Sequence, residues 1–530
     1  MTIRPAIYVR VYFVLVLLIG LLVFRDYGVS WDESIDRVNG LVNAKYITDT
    51  FAPEWTANQA VFANVPEFAT HQENDHGALF HLPLAFMEVA FPGLDSRTYY
   101  FVRHFCIFLT FVLGLWSMYR IGRLRFGSWQ AGLGASTLLL LSPRIFAHAF
   151  FNGKDLVFLG LFTFGIYTLV RLLERPTLAR AALHGLATAL ATDVRILGCL
   201  LLALSLGMVV VEIGFGSPEG GRRRQLGKAA AVYCVVAALL TVVGWPYLWD
   251  APAANFLLAF ENMKRFRWGG ALLYRGEAIM ALVLPWHYAL TWIAITTPVA
   301  YCLAHVAGLA SYTYALLRHG LATLHTTAGR LDLLFCGWFI VPLFMVMALN
   351  SVIYDDWRHL YFIYPAFLLL AVRGALSLWQ ASRRSAALRV VAVAAAVLAG
   401  AEAVFTAARM VEAHPNEQVY FSFLTPNQAE RLFERDYWGV SFRQGLEWIL
   451  AYDQSPQIYI DAPFSILLEN NLAILKPADR ARFKISGTAK NRYFLTGYRT
   501  HPEAYPDSVG SEVHAIKANG IKILSVFQRW

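Results

Sequence analysis

The chain has 530 residues, 57% of them hydrophobic and only 15% charged, with 45 Lys and Arg against 36 Asp and Glu. A soluble domain carries about 25% charged residues, and the apolar runs here are continuous rather than alternating. An ordinary soluble protein and an outer-membrane β-barrel are therefore excluded, and the composition specifies a polytopic α-helical membrane protein. The net charge of +9 falls mostly in short loops between spans. That is orientation information and no argument for nucleic acid as a partner.

The first span is expected over Ile7–Phe24, with Arg4 and Arg10 placing the N-terminus in the cytoplasm. No small-x-small cleavage site follows it, so it reads as a retained span rather than a removed signal. Charge then appears at once in Val23–Asn39, VFRDYGVSWDESIDRVN, where Asp32 and Glu33 are adjacent and Asp26 and Asp36 flank them. Ionisable groups at a membrane exit are paired, solvated or functional. The plain alternative is that Asp32 caps a surface helix. The rest of the first loop, residues 25–97, is expected outside and is acidic; Leu79–Phe91 reads as an interfacial helix.

Further spans are expected over Tyr99–Ile121, Gln130–Leu141, Leu156–Leu173, Ala181–Thr192, Ile196–Phe215 and Ala229–Trp245. After them come Tyr288–Leu309, Leu333–Leu349, Leu360–Leu378 and Val390–Ala408, about eleven in all. Ser142–Asp155 is expected as an external loop. Arg120, Arg123, Arg125, Arg171, Arg175, Arg222-Arg223-Arg224 and Arg383-Arg384 mark the cytoplasmic ends. Pro246–Pro285 breaks that pattern, because Lys264, Arg265, Arg267 and Arg275 lie outside. Phe256, Phe260 and Met263 share a helical face there. Two readings stand: an interfacial helix lying among membrane lipids, or a patch attracting an anionic lipid substrate. Cys106, Cys199, Cys234, Cys302 and Cys336 all fall in apolar runs without metal-like spacing and read as small core residues.

From about Val411 the composition shifts to Pro, Asn, Asp and Glu, marking residues 411–530 as a small external α/β domain. A helix is expected over Phe442–Leu450, and strands over Gln457–Ile460, Arg492–Leu495 and Ile521–Phe527, the last after an Asn519-Gly520 turn. Nucleotide-binding, nucleophile-elbow and zinc-protease motifs are absent from the sequence. His71, His76 and His81, five apart, suit no single helical face for zinc. No cofactor is required, although a divalent metal shared by Asp32, Glu33 and Asp75 is an alternative.

With this topology, polar residues collect at the external ends of spans: Asp32 and Glu33, Asp75-His76-Gly77, Asn152-Gly153-Lys154-Asp155, Asp193 with Arg195, and Tyr354 to His359. Lys154 and Arg358 could simply snorkel, and Arg195 could simply pair with Asp193. Together, bases from separate helices suit a lipid-linked phosphate, and a carboxylate suits proton removal from a hydroxyl.

Five segments carry a family resemblance: SWDES after the first span, DHGALFHLP, FNGKDLVF, DVRILG and WRHLYFIYP. Over Ile7–Ala408 the chain resembles the GT-C membrane glycosyltransferases, and most closely the protein O-mannosyltransferase and lipid A aminoarabinose transferase group. The resemblance implies an inverting transfer on the outer face from a polyprenyl-phosphate sugar donor. It implies Asp32 as general base, with Glu33 assisting, and Lys154, Arg195 and Arg358 on the donor phosphate. Asp75, His76, Asp155 and His359 would contact substrate. DHGALF departs from the His-Pro-Pro pattern of the mannosyltransferases, so a protein acceptor is not implied. The competing classes are a transporter or flippase and a membrane-anchored scaffold. The chain shows no internal repeat of the transporter kind, and a scaffold leaves the clustered charges without a role.

Overall fold

The computed structural model describes residues 5–216, 220–264, 268–486, 492–499 and 501–529. Arg4, Arg265 and Arg267 lie outside the described residues. Nine described helices are long and apolar enough to cross a membrane, and a bent pair makes ten if it counts as one span. The shortfall from eleven has a physical cause. A helix needs about 20 residues to cross the hydrocarbon. The expected third span stops at Leu140 after 12 residues, and the expected fifth, Leu178–Thr192, has 15.

Ser142–Asp155, expected as an external loop, forms instead the helix Pro143–Phe151, bent by 70° from its predecessor and buried along its whole length. Pro143 starts it, since proline suits the first helical turn, where its missing N–H costs nothing. The expected eighth span is likewise two helices, Tyr288–Thr296 and Val299–His319. Pro298 cannot donate into the first helix and forces Thr297 into extended backbone.

The first loop is mostly helical. Trp31–Phe51 packs against Leu82–Ala90 around Ala44, Phe62, Ala85 and Val89. The helix expected to lie in the interface thus buries its Leu84, Ala85 and Val89 in protein. Pro252–Lys264 likewise packs one face on protein. Its Phe256, Phe260 and Met263 face packs on Ile196, Trp245 and Leu248, leaving Leu257 and Leu258 exposed. A hairpin of β1 (Ala271–Tyr274) and β2 (Glu277–Met280) follows, closed by Arg275 and Gly276, both at positive φ.

Residues after the last long helix, Ala386–Ala413, divide in two. Val419, Phe421, Phe433, Tyr437 and Trp438 belong to the core of the helical body. From Phe442 onward a separate core forms, with Phe442, Leu446 and Ile449 of the helix Phe442–Tyr452 against Ile458, Leu495 and Val526. Its sheet has the order β4-β3-β5-β7-β6. The strands are β3 (Ile458–Asp461), β4 (Phe483–Ile485), β5 (Tyr493–Gly497), β6 (Ser511–Ala518) and β7 (Ile521–Gln528). Strand β3 runs parallel to β4 and β5, and β7 antiparallel to β5 and β6. Asn519 and Gly520 both take positive φ, the geometry a two-residue hairpin turn needs. Strands β4 and β6 were not among the sequence expectations; β4 is three residues long and β6 is irregular, with register shifts along β7.

Candidate active site

The Trp31–Phe51 helix decides which acid faces where. Side chains advance by about 100° per residue, so Asp32 and Glu33 diverge, and Asp36 falls between them. Glu33 turns inward and is fully buried. Its Oε2 accepts the Ser30 N–H at 2.7 Å, half of a capping box, and its Oε1 accepts Arg103 Nε at 3.2 Å and lies 3.1 Å from His104 Nε2. The acid that caps this helix is therefore Glu33, not Asp32. Asp36 receives Arg103 Nη2 at 2.6 Å and Lys154 Nζ at 2.8 Å. Asp32 alone of the three turns into a cavity of about 430 Å³. Its side chain is 28% exposed, and one oxygen lies 3.2 Å from Arg358 Nη1.

The opposing cations come from three other segments. Asn152-Gly153-Lys154-Asp155 is a tight turn held by Asn152 Oδ1, which accepts the Asp155 N–H at 2.8 Å. A Cβ at Gly153 would meet the Arg103 guanidinium, which would have to shift away from its bonds to Glu33 and Asp36. Asp155 sits behind the cavity wall, with Oδ1 2.5 Å from Arg195 Nη2 and Oδ2 3.4 Å from Arg358 Nη1. Lys154 and Arg358 are thus held in ion pairs and do not snorkel; Arg195 pairs with Asp155 and not with Asp193. Arg358 follows two consecutive buried residues at positive φ, Asp355 at 56° and Asp356 at 63°. Asparagine and aspartate tolerate that region best among side-chain-bearing residues, at some cost. Asp356 Oδ2 secures the turn by accepting from Tyr437 Oη at 2.6 Å, Tyr361 Oη at 2.9 Å and Arg144 Nη1 at 3.0 Å.

Of the residues expected at the site, Asp32, Asp75, His76, Lys154, Arg195, Arg358 and His359 line the cavity. Asp155 supports it from behind, and Glu33 is withdrawn from it. His76 Nδ1 lies 3.1 Å from Glu73 and 3.2 Å from Asp75. Among the described residues no group of three or more His, Cys, Asp or Glu side chains is arranged to hold a metal ion. Asp32, Glu33 and Asp75 form no such group, because the helix turns Glu33 away. The sequence reading did not single out Trp268, Trp438 and Arg499, which also line the cavity, nor Asp36 as the partner of Lys154. Asp36 had a signal, its four-residue spacing from Asp32; the others reach the site only through the tertiary fold.

Burial and charge set the ionisation of this wall. Burial would raise the Asp36 pKa, but Lys154 and Arg103, joined by His81 once that ring protonates at low pH, outweigh it and hold the carboxyl well below its usual range. Burial would lower the Lys154 pKa, but Asp36, Asp32 and Glu73 raise it above the usual lysine value, so the ammonium stays charged. His81 is pushed down to about 3 by burial, against the pull of Asp36, and is a neutral acceptor for Arg103 Nη1 at 3.1 Å.

Asp193, at the tip after Leu178–Thr192, is the opposite case. It makes no ion pair among the described residues, and burial pushes its pKa up to about 9. The folded state therefore holds a proton that the unfolded chain releases near pH 3.8. Its contribution to stability is most favourable below pH 3.8, falls across the window up to about pH 9, and then levels. Asp193→Asn should melt higher than wild type at pH 7 and lose this part of the pH slope. A variant that melts lower at pH 7, with the slope intact, would contradict the neutral carboxyl.

The fold that carries this cavity is the GT-C fold of membrane glycosyltransferases. No protein-family profile and no curated protein matches the sequence. The Archaeoglobus fulgidus oligosaccharyltransferase in its apo form superposes with a TM-score of 0.50 at 11% identity, over 89% of this chain and 64% of that longer one. ArnT from Cupriavidus metallidurans in the apo state gives 0.49 at 13% identity, over 99% of this chain and 98% of that one. The same ArnT bound to undecaprenyl phosphate gives 0.47 at 14% identity, over 97% of each chain.

Proposed function

We propose that the protein is an integral-membrane inverting glycosyltransferase. It moves a sugar from a polyprenyl-phosphate-linked donor to a hydroxyl acceptor on the outer face of the membrane. The observation that carries this reading is the cavity itself: the partly open carboxylate of Asp32, paired with Arg358, shares it with Lys154 and Arg195, and the three cations arrive from separate segments. The shared fold with an oligosaccharyltransferase agrees with glycosyl transfer.

In this mechanism Lys154, Arg195 and Arg358 bind the donor phosphate. Their charges stabilise the phosphate as the bond from the anomeric carbon to its oxygen breaks and the oxygen keeps the electron pair. The acceptor oxygen attacks from the face opposite the phosphate, which inverts the anomeric centre. Asp32 takes the acceptor's proton as the new glycosidic bond forms. The products are the glycosylated acceptor, a polyprenyl phosphate and a protonated Asp32 that returns its proton to solvent. Asp155 holds Arg195 and Arg358 in place.

Alanine at Lys154, Arg195 or Arg358 should weaken donor use, since a hydrogen bond to a charged group is worth about 1.5–3 kcal/mol. Arg358→Lys should recover only part of it, because an ammonium cannot replace a fork. Turnover by purified protein with a panel of polyprenyl-phosphate sugars reads both. Unchanged donor affinity in all three alanine variants would remove the phosphate assignment.

The orientation belongs to the same proposal, with the N-terminus cytoplasmic and residues 411–530 outside. A reporter fused after Trp530 should read as external; a cytoplasmic signal would overturn the outer-face reaction.

A further inference from the structure

The proposed mechanism uses no residue of the β3–β7 domain, yet two of that domain's residues, Phe464 and Arg499, form part of the cavity wall. Arg499 lies two residues beyond the end of β5 at Gly497. Its Nη2 is 2.5 Å from Asp355 Oδ1, and its Nη1 donates to the Tyr437 carbonyl at 3.1 Å. The other oxygen of Asp355 receives Arg358 Nη2 at 3.3 Å. One carboxylate thus ties the two guanidinium groups together.

A second connection runs through aromatic rings. The Arg499 guanidinium carbon lies 5.6 Å from the Trp31 ring centre and 5.5 Å from that of Trp268. Trp268 stacks on Tyr354, with centres 4.5 Å apart and planes 28° apart. Arg358 lies between Tyr354 and Trp438, at 4.8 and 4.6 Å. Trp31, Arg499, Trp268, Tyr354, Arg358 and Trp438 therefore form one unbroken run along the cavity. Cations over aromatic faces attract, and desolvation strengthens the attraction.

We propose that Arg499 is a positioning residue for the donor-phosphate site. It orients the Arg358 guanidinium through Asp355 and the aromatic run, so polyprenyl-phosphate binding depends on the β3–β7 domain being seated. This rests on the reading of Arg358 as a phosphate ligand. Arg499 places Nη1 on the Tyr437 carbonyl and Nη2 on Asp355, the carboxylate it shares with Arg358, and acts through that shared partner. The physical basis is directional: an arginine recognises phosphate by a planar fork, which binds well only when its plane is preset.

The test is binding of undecaprenyl phosphate to full-length purified protein in detergent, with thermal melting followed alongside. Supporting groups around a site commonly contribute about 10–100-fold. Arg499→Ala should weaken binding about tenfold or more, and Asp355→Asn similarly. Arg499→Lys, which keeps the pair but loses the flat stack, should fall between. In an Arg358→Ala background, Arg499→Ala should cost less than about twofold more, since coupled residues do not add. If Arg358→Ala leaves binding unchanged, the phosphate reading fails. If Arg358→Ala weakens binding while the Arg499 and Asp355 variants bind as wild type, the positioning role fails. Losses that multiply in the double variant would show that Arg499 acts independently of Arg358 and overturn the proposal as well. Should Arg499→Ala not fold, Arg499→Lys and Asp355→Asn make the same comparison.

Discussion

Asp32→Asn should lower turnover by about 10²–10⁴-fold, the usual contribution of a positioned general base. The substitution is nearly isosteric, and Asp32 is the first-turn acid whose side chain is open to the cavity, so folding should be unaffected. Donor binding supplies the sharper test. The Asp32 carboxylate lies 3.2 Å from Arg358 Nη1 and competes with a phosphate for that guanidinium. Removing its charge should leave donor affinity unchanged or slightly tighter while turnover collapses. Loss of rate without loss of binding marks a group that acts only in the transition state. The measurement is turnover beside donor binding for wild type and variant in one detergent preparation. An Asp32→Asn protein with wild-type turnover would refute the assignment. One that loses binding and rate in parallel would make Asp32 a binding group.

Arg103→Ala should destabilise the fold more than alanine at Lys154, Arg195 or Arg358. Arg103 is fully buried and holds Glu33 at 3.2 Å, Asp36 at 2.6 Å and the His81 ring at 3.1 Å. Its loss takes a cation from each of two buried carboxylates, leaving Glu33 without a guanidinium and Asp36 with Lys154 alone, and breaking one buried pair typically costs about 3–5 kcal/mol. Arg103→Lys should rescue little, because a single ammonium cannot reach three partners in a fork. Glu33→Gln separates structure from catalysis at the neighbouring position. Glutamine can still complete the capping box but leaves Arg103 and His104 short of a charge. The variant should melt lower, with turnover per folded molecule close to wild type. Thermal unfolding in detergent and activity normalised to folded protein decide it. A Glu33→Gln protein that melts like wild type but turns over about 100-fold slower, on the general-base scale, would return Glu33 to the chemistry.

The membrane class, the position of most spans and the Asn519-Gly520 hairpin follow from local composition. Lipid tolerates only backbone that satisfies its own hydrogen bonds, which for continuous apolar runs means helices, and a two-residue turn demands positive φ. The sequence by itself also grouped the polar residues that meet in the cavity, because charges held near a membrane must share few sites. Three things were decided only by the tertiary structure. The stretch expected as the loop Ser142–Asp155 holds a buried helix bent by 70° from its predecessor, and the expected eighth span divides at Pro298 into two helices. Ser30 and Arg103 select which of two adjacent acids faces the cavity, and Arg103 lies 70 residues away from Glu33. Arg499 reaches Asp355 across 144 residues, from just past the end of the central strand β5, which carries no local motif. Periodicity reports which face of a segment is apolar, but the partner that turns a given side chain inward is set by contacts between distant segments, and a single sequence does not encode those locally.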